Sequence, residues 1–190
     1  MLNKIFANQL IVVKRQNDFN KAILSFYENR EGRFYKVLET EAFIGKNGMT
    51  EEKREGDGKT PKGVYELGLA FGIHDRKAIS IDSSIDYIKI NQNLYWVDDV
   101  NSIYYNQLVD SREVKNDWKS AEHLIEYPKQ YEYAIEVKNN ICNVPGNGSA
   151  IFLHCSDNNP TAGCISIPKE KMEELLRKIK AGAIIFIDDR

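Results

Sequence analysis

The stretch IFLHCSDNNPTAGCISIP, residues 151–168, carries the most structural information in this chain. It opens with an apolar run that ends at His154, continues through a polar loop, and returns to an apolar run that begins at Cys164. Short apolar runs bounded by Asn, Asp and Pro are typical of buried strands, so the stretch predicts a strand, a connecting loop and a second strand. The two strands would bring together a histidine and a cysteine that are ten residues apart in the chain.

A histidine close to a cysteine can form a thiol nucleophile. Cysteine attacks carbonyl carbons as a thiolate, and a histidine with a pKa near neutrality commonly removes the thiol proton. Gly163 has no Cβ, so the backbone beside the cysteine can approach a substrate, and we expect the amides of Gly163 and Cys164 to bind a developing oxyanion. The pattern therefore predicts Cys164 as the nucleophile and His154 as its general base.

Three other interpretations of these residues stay open. The pair could belong to the core, because free cysteines are among the most buried residue types. His154, Cys142, Cys155 and Cys164 could ligate zinc, although no CxxC or HxxxH pair is present. A disulfide could join Cys155 to Cys164 or to Cys142, and the odd count of three cysteines would then leave one thiol over.

The rest of the chain consists of short apolar segments separated by Asn, Gly and Asp, a pattern that predicts a mostly β protein with short helices. We predict strands at residues 9–14, 22–28, 34–42, 63–69, 87–91, 94–97, 133–136, 150–154, 164–167 and 183–187. One clear helix is predicted over residues 168–182, because apolar residues recur there with a helical period, lysines gather late and a glycine ends the segment.

Length and composition predict one domain that spans residues 1–190. The chain is 42 % hydrophobic and 28 % charged, which is typical of a globular domain with a sizeable core. Its net charge of −2 and the lack of a basic stripe argue against nucleic acid as a partner. No apolar run approaches the ~18 residues of a membrane span, and polar residues interrupt residues 1–14 too often for a signal peptide core.

The residues around the predicted nucleophile resemble the catalytic motif of the L,D-transpeptidase (YkuD-like) family, the cysteine enzymes of bacterial peptidoglycan. That motif is a histidine, a spacer and then Ser/Thr-x-Gly-Cys, and His154, Thr161, Gly163 and Cys164 occupy its positions in order. Upstream, REGDGKTPKGVYELG at 54–68 resembles the family's Asp-Gly-Lys-Thr-Pro-x-Gly-x-aromatic segment. The stretches at 96–106, 120–124 and 131–135 are similar to those of one subgroup, so the resemblance covers about 45–188.

The resemblance implies a sandwich of two mixed β-sheets and an acyl transfer through a thioester on Cys164. The thiolate would attack the third residue of a peptidoglycan tetrapeptide stem, release terminal D-alanine, and pass the acyl group to an amine, which forms 3-3 cross-links. Thr161 would orient the imidazole through its carbonyl or hydroxyl. No metal or organic cofactor is implied, and the implied location is the cell wall or periplasm, reached by a mature or trimmed chain. Oligomeric state stays open.

Other functions of the same residues stay open as well. If water resolves the thioester, the enzyme is an L,D-carboxypeptidase, and a cysteine amidase or peptidase with another substrate range would use the same pair. A module that binds the cell wall without catalysis is the alternative outside enzymes.

Two positions depart from the family pattern. Many members carry glycine after the histidine and arginine two residues after the cysteine, whereas this chain has Cys155 and Ser166. Loss of the arginine removes a fixed cation near the nucleophile, so we expect Ser166 to affect substrate binding and donor choice. Because adjacent residues of a strand point to opposite faces, we expect Cys155 to face away from His154.

The other candidates for chemistry are peripheral. His123 lies in one of the subgroup-like stretches, which makes it a candidate for the lining of the substrate pocket. His74 is predicted to be a surface histidine. The mixed-charge run EEKRE at 51–55 is predicted to be a solvated loop, and residues 56–61 are predicted to form a hairpin turn instead of a phosphate-binding loop.

Overall fold

The computed structural model describes residues 7–189, so residues 1–6 of the segment assessed for a signal peptide lie outside the described residues. Within that range the chain forms fourteen β-strands and one α-helix. The strands are β1 Gln9–Arg15, β2 Lys21–Arg30, β3 Arg33–Phe43, β4 Met49–Thr50, β5 Thr60–Pro61, β6 Gly63–Gly72, β7 Tyr87–Lys89, β8 Leu94–Val97, β9 Leu108–Asp110, β10 Ala121–His123, β11 Ala134–Val137, β12 Phe152–Cys155, β13 Ile165–Ile167 and β14 Ile184–Asp188. The helix is α1, Lys169–Lys178, and single turns of 3-10 helix occur at Arg76–Ala78, Leu124–Glu126 and Gln130–Glu132.

The predicted mostly β fold with one clear helix is confirmed. The predicted sandwich of two mixed sheets is wrong, because most of the strands form one closed sheet. The largest sheet has the order β11-β12-β13-β3-β2-β1-β14-β6-β7, and an additional pairing of β11 with β6 closes it into a barrel. β6 causes the closure, because this ten-residue strand pairs with β14 along its first half and with β11 along its second. A register shift between Ile135 and Val137 accompanies the second pairing, and such irregularities bend strands.

Two smaller sheets flank the barrel. One has the order β10-β8-β9, and the other consists of the parallel pair β4 and β5. The ten predicted strands all occur, with ends that differ by no more than three residues, whereas β4, β5, β9 and β10 were not predicted. Each of those four contains only two or three residues, too few to show an alternating pattern.

Helix α1 is amphipathic, as its sequence predicts. Its buried residues are Met172, Leu175 and Leu176, and Arg177 and Lys178 lie in its last turn, where positive charge complements the helix dipole. The prediction extended the helix to residue 182, but α1 ends at Lys178 because the next residue, Ile179, is extended and fully buried. The chain then turns into β14. No helix within residues 7–189 is long and apolar enough to cross a membrane.

Strands β12 and β13 separate two hydrophobic clusters. On one face, Leu153, Cys155, Ile165 and Ile167 belong to the main core, which also contains the buried residues of α1. On the other face, Phe152 packs with Phe71, Trp96, Tyr131 and Leu124 in a second cluster beneath the β8 sheet, and this cluster contains Cys164. Because side chains alternate along β12, one face of this strand packs in the main core and the other faces the cluster that contains the Cys164 thiol.

Candidate active site

The strand register places His154 and Cys164 on the same face. β12 and β13 are parallel, with His154 opposite Ser166, and Cys164 immediately precedes β13. Residues two apart on a strand share a face, so Cys164 shares the face of Ser166 and therefore of His154. The Phe152 amide donates to the Cys164 sulfur at 3.3 Å, which joins the turn to the neighbouring strand. The strand–loop–strand prediction for this stretch is confirmed.

Hydroxyl groups hold the turn that carries Cys164. The Cys164 carbonyl accepts from Thr161 Oγ1 at 2.6 Å and from Thr60 Oγ1 at 3.2 Å. Thr60 Oγ1 also accepts from the Gly45 amide at 2.8 Å, and the Gly163 amide donates to Thr161 Oγ1 at 3.1 Å. The segment at 54–68 that resembles the family therefore supports the cysteine turn directly through Thr60.

Two predicted roles change with this geometry. Thr161 was expected to orient the imidazole, but its hydroxyl bonds to Cys164 and its carbonyl accepts from the Lys46 amide at 2.8 Å. Thr161 therefore fixes the turn. The Gly163 amide was expected to bind an oxyanion, but its bond to Thr161 occupies it in this conformation.

Gly163 is required by its backbone conformation and by its neighbours. Its φ of +152° lies where L side chains are rare, and an added Cβ would lie 3.0 Å from the Lys59 carbonyl oxygen and 3.1 Å from Lys53 Nζ. The loop that contains Lys53 and Lys59 thus packs against the residue before the nucleophile.

The Cys164 thiol is protonated at neutral pH in this conformation. It is 8 % exposed, and its sulfur donates to the Ala150 carbonyl at 3.2 Å. Burial, with a smaller contribution from the Glu122 carboxylate, raises the pKa of the thiol to about 12, against the opposing effects of the Phe152 amide and Lys53. Deprotonation therefore needs a base on the same face, which is where His154 lies.

His154 is arranged as a neutral base. Its Nδ1 lies 2.8 Å from the Cys155 carbonyl oxygen and donates to it, which assigns the proton to Nδ1 and leaves the Nε2 lone pair unprotonated. Burial lowers the pKa of the imidazole, so the ring is neutral near pH 7. The Tyr131 ring packs edge-on against it at 5.8 Å between centroids. The orienting carbonyl predicted at Thr161 is thus supplied by Cys155. We also predict from the sequence that an imidazole nitrogen of His154 lies within about 4 Å of the Cys164 sulfur, the reach that general base catalysis requires, and this stays a prediction.

The three cysteines lie apart from one another. Cys142 is exposed, Cys155 is in the main core, Cys164 is in the second cluster, and all three are free. Cys155 donates to the Tyr133 carbonyl at 3.5 Å, on the face opposite His154 as predicted. No group of three or more His, Cys, Asp or Glu side chains among the described residues is placed to hold a metal ion.

Of the two remaining predicted site residues, His123 is held in the flanking sheet and Ser166 lies on the same face as His154 and Cys164. The His123 ring stacks on Tyr95 at 4.3 Å, and its nitrogens bond to Glu126 at 3.0 Å and to the Gln92 carbonyl at 2.9 Å. Those contacts hold it in the flanking sheet. Ser166 is 1 % exposed on the face of His154, and its hydroxyl has no partner among the described residues.

Other charged residues, which were not predicted as site residues, lie near the thiol. Glu122, on β10, accepts a short hydrogen bond from the Tyr131 hydroxyl. Burial raises the pKa of Glu122 to about 7. From the run at 51–55, predicted to be a solvated loop, Lys53 is 8 % exposed and pairs with Asp57, while Glu55 accepts from the Tyr105 and Ser149 hydroxyls. Glu122 and Glu55 lie in the stretches at 120–124 and 54–68 that resemble the family, and Lys53 pairs with Asp57 four residues on. No local pattern, however, indicates that these side chains pack near Cys164. His74, predicted on the surface, bonds to Glu132 at 3.3 Å and is partly exposed.

Comparison with known proteins assigns the sequence to a family. The sequence profile of the YkuD L,D-transpeptidase catalytic domain matches residues 9–187. The structure of Bd1075 from Bdellovibrio bacteriovorus aligns with a TM-score of 0.52 at 19 % identity, over 100 % of this chain and 50 % of that one, which supports the fold.

Two further solved structures align less well. L,D-transpeptidase 1 of Mycobacterium tuberculosis aligns with a TM-score of 0.40 at 14 % identity, over 94 % of this chain and 62 % of that one. A mutant L,D-transpeptidase of Enterococcus faecium aligns with a TM-score of 0.41 at 14 % identity, over 95 % and 50 %. The chain thus spans about half to three-fifths of the length of these proteins. A search of curated proteins gave no match.

Proposed function

The chain belongs to the YkuD family of L,D-transpeptidase catalytic domains, and we propose that it is a cysteine acyltransferase that acts on the peptide stems of peptidoglycan. The observation that carries the proposal is the shared face of His154 and Cys164, with the imidazole in the tautomer whose Nε2 accepts a proton. A buried thiol without such a neighbour is inert, and an imidazole without a thiol has nothing to activate.

The chemistry proceeds in two transfers. His154 Nε2 takes the Cys164 proton, and the thiolate attacks the carbonyl carbon of the third residue of a tetrapeptide stem. The bond to the terminal D-alanine breaks, and the imidazolium returns the proton to the leaving amine, which gives a thioester and free D-alanine. An amine of a second stem then attacks the thioester, loses its proton to His154, and releases the thiol. No metal or organic cofactor takes part.

Local hydrogen bonds suit this cycle. The Phe152 amide donates to the sulfur and stabilises it once it carries charge, whereas the bond from the thiol to the Ala150 carbonyl is lost on ionisation. The Cys164 amide is the oxyanion donor that the proposal retains, because the Gly163 amide is bonded to Thr161.

Hydrolysis is the second candidate function, favoured by the closure of the site. Cys164 is 8 % exposed and His154 is 7 % exposed. Water reaches such a buried thioester more readily than the amine of a second stem, and the enzyme would then be an L,D-carboxypeptidase. Either activity places the substrate in the cell wall or periplasm, where this family acts on peptidoglycan.

Purified muropeptides test the proposal. We expect the protein to release D-alanine from tetrapeptide stems and to form a mass adduct on Cys164 with a carbapenem, a β-lactam that acylates this family. Addition of an amine acceptor separates the candidates, since a transpeptidase yields the amide and a carboxypeptidase yields only the tripeptide. Cys142→Ser is the matched control because Cys142 is exposed, whereas Cys155 and Cys164 are buried. An adduct confined to Cys142 or Cys155 would contradict the proposal.

A further inference from the structure

A buried lysine lies beneath the turn that carries the nucleophile. The Lys53 side chain is 8 % exposed, and its Nζ donates to Asp57 Oδ1 at 2.5 Å. Burial of an ammonium group is costly unless the charge is paired. Asp57 supplies that pairing, but the proposed reaction assigns no role to either residue.

Two glycines make room for this side chain. A Cβ on Gly148 would lie 2.7 Å from Lys53 Cγ, and a Cβ on Gly163 would lie 3.1 Å from Lys53 Nζ. The aliphatic part of the Lys53 side chain therefore packs against Gly148. Its ammonium group lies beside Gly163, the residue that precedes Cys164.

The loop around Lys53 is anchored on both sides. The Asp57 carboxylate also accepts from the Arg54 amide at 2.9 Å and from the Lys59 amide at 2.8 Å. On the other side, the Glu55 amide donates to the Gly146 carbonyl at 2.9 Å. The charge is thus fixed in place before any substrate binds, which is the arrangement that stabilises a developing anion most effectively.

The charges that act on the thiol have opposite effects. Glu122 opposes ionisation of Cys164, and Lys53 favours it. Lys53 therefore brings a positive charge from the loop at 53–59 close to Gly163 and to the thiol that follows it.

We propose that Lys53 is the fixed cation of this active site, and that its ammonium group stabilises the negative charge that forms on Cys164 when His154 takes the proton. Asp57 holds the ammonium group in position and moderates its charge. The inference rests on the proposed cysteine chemistry and adds to it a supporting residue from another part of the chain. Lys53 acts on the nucleophile through its field, and its burial keeps that field from being screened by water and salt.

The pH dependence of Cys164 alkylation by iodoacetamide tests this role in the full chain, in a Cys142→Ser background, with mass spectrometry to identify the modified thiol. We expect Lys53→Met to raise the apparent pKa of Cys164 by about one unit and to slow alkylation at pH 8 by about tenfold. Lys53→Arg should restore most of the rate because it keeps the charge. Lys46→Met is the matched control, since it removes an exposed lysine near the same turn, and it should leave the profile unchanged.

Substitution of Asp57, the counter-ion of Lys53, should shift the apparent pKa of Cys164 in the opposite direction. Asp57→Asn leaves the ammonium group without its compensating charge, so the apparent pKa of Cys164 should fall, provided that circular dichroism shows a folded protein. A reactive Cys164 with the same profile in Lys53→Met as in the parent overturns this inference alone. A parent Cys164 that fails to react at any pH overturns the proposed function and the inference together.

Discussion

Two buried cysteines on opposite faces of the same strand pair form a natural comparison. Cys155 and Cys164 are 1 % and 8 % exposed, and burial raises the pKa of each thiol to about 12. Cys155 packs in the main core and bonds to the Tyr133 carbonyl, whereas Cys164 shares a face with His154 and lies beside a turn supported by Lys53. Burial alone therefore does not distinguish the proposed nucleophile from the core thiol. The two sulfur atoms differ in the groups arranged around them.

The largest expected difference between the two thiols is in turnover. Cys164→Ala should lower D-alanine release from tetrapeptide stems by at least about 10⁴-fold, as removal of a nucleophile does in other acyl-transfer enzymes. Cys155→Ala should keep turnover within several-fold of the parent, because its thiol lies on the other face. Thermal unfolding of both variants provides the control for folding. A comparable loss of activity in the two variants would remove the distinction between the faces.

The second expected effect concerns the base. His154→Gln should slow acylation of Cys164 by about 10²- to 10⁴-fold, the usual contribution of general base catalysis. In the parent, burial lowers the pKa of His154, so the base stays neutral as the pH falls and loses activity only below its ordinary titration range. Single-turnover acylation measured between pH 4 and 8 checks this, and the acidic limb should disappear in His154→Gln. An unchanged acidic limb would assign it to another group.

The supporting hydroxyls should affect stability on the Cys164 side. Thr60→Val and Thr161→Val each remove one donor from the Cys164 carbonyl, and each should lower the free energy of unfolding by about 1–3 kcal/mol. Because the two share one acceptor, the double variant should show a coupling energy in urea denaturation. Thr40→Val, at a half-buried residue whose hydroxyl bonds to the neighbouring Glu41 carbonyl, is the matched control. If the losses of stability in the two single variants simply add in the double variant, the shared Cys164 carbonyl does not couple the two hydroxyls.

Glu122 should give a smaller, pH-dependent effect. Burial raises its pKa from the ordinary 4.5 to about 7, and the Asp98 and Glu55 carboxylates add to the shift. A carboxyl with a raised pKa in the folded state contributes stability that is full below pH 4.5 and is lost as the pH rises through 7. Glu122→Gln should therefore be more stable than the parent by roughly 1–3 kcal/mol at pH 8 and nearly equal to it at pH 4. Denaturation at both pH values checks the sign.

The comparison of the two thiols also shows what the sequence could predict. The apolar runs on either side of the loop at 156–164 predicted β12 and β13, and strand alternation predicted the orientation of Cys155. The sandwich was not correct, because closure depends on the pairing of β6 with β11, two strands that are remote in the sequence. Contacts between segments about a hundred residues apart, such as that of Thr60 with Cys164, leave no periodic signal in either segment.

The site was predictable only in part, for the same physical reason. His154 and Cys164 lie within one supersecondary unit, so their shared face follows from strand geometry. Lys53 lies in a run whose mixed charges are typical of solvated loops, and its burial depends on the space left by two glycines, one of them Gly148, nearly a hundred residues away. Local patterns predict the proposed reacting pair, and the tertiary fold brings the surrounding groups to it.

The smallest expected effect concerns Ser166, which shares the face of His154 but has no described hydrogen-bond partner for its buried hydroxyl. Removal of an unsatisfied buried hydroxyl relieves its desolvation penalty, so Ser166→Ala should change the free energy of unfolding by less than about 1 kcal/mol and tend to raise it. If the hydroxyl serves only as a space filler, turnover should also stay the same. A loss of turnover with unchanged stability, together with a changed preference among stems in Ser166→Arg, would instead assign Ser166 to substrate binding. The functional difference between the two faces of β12 and β13 would then include Ser166 as well as the thiols of Cys164 and Cys155.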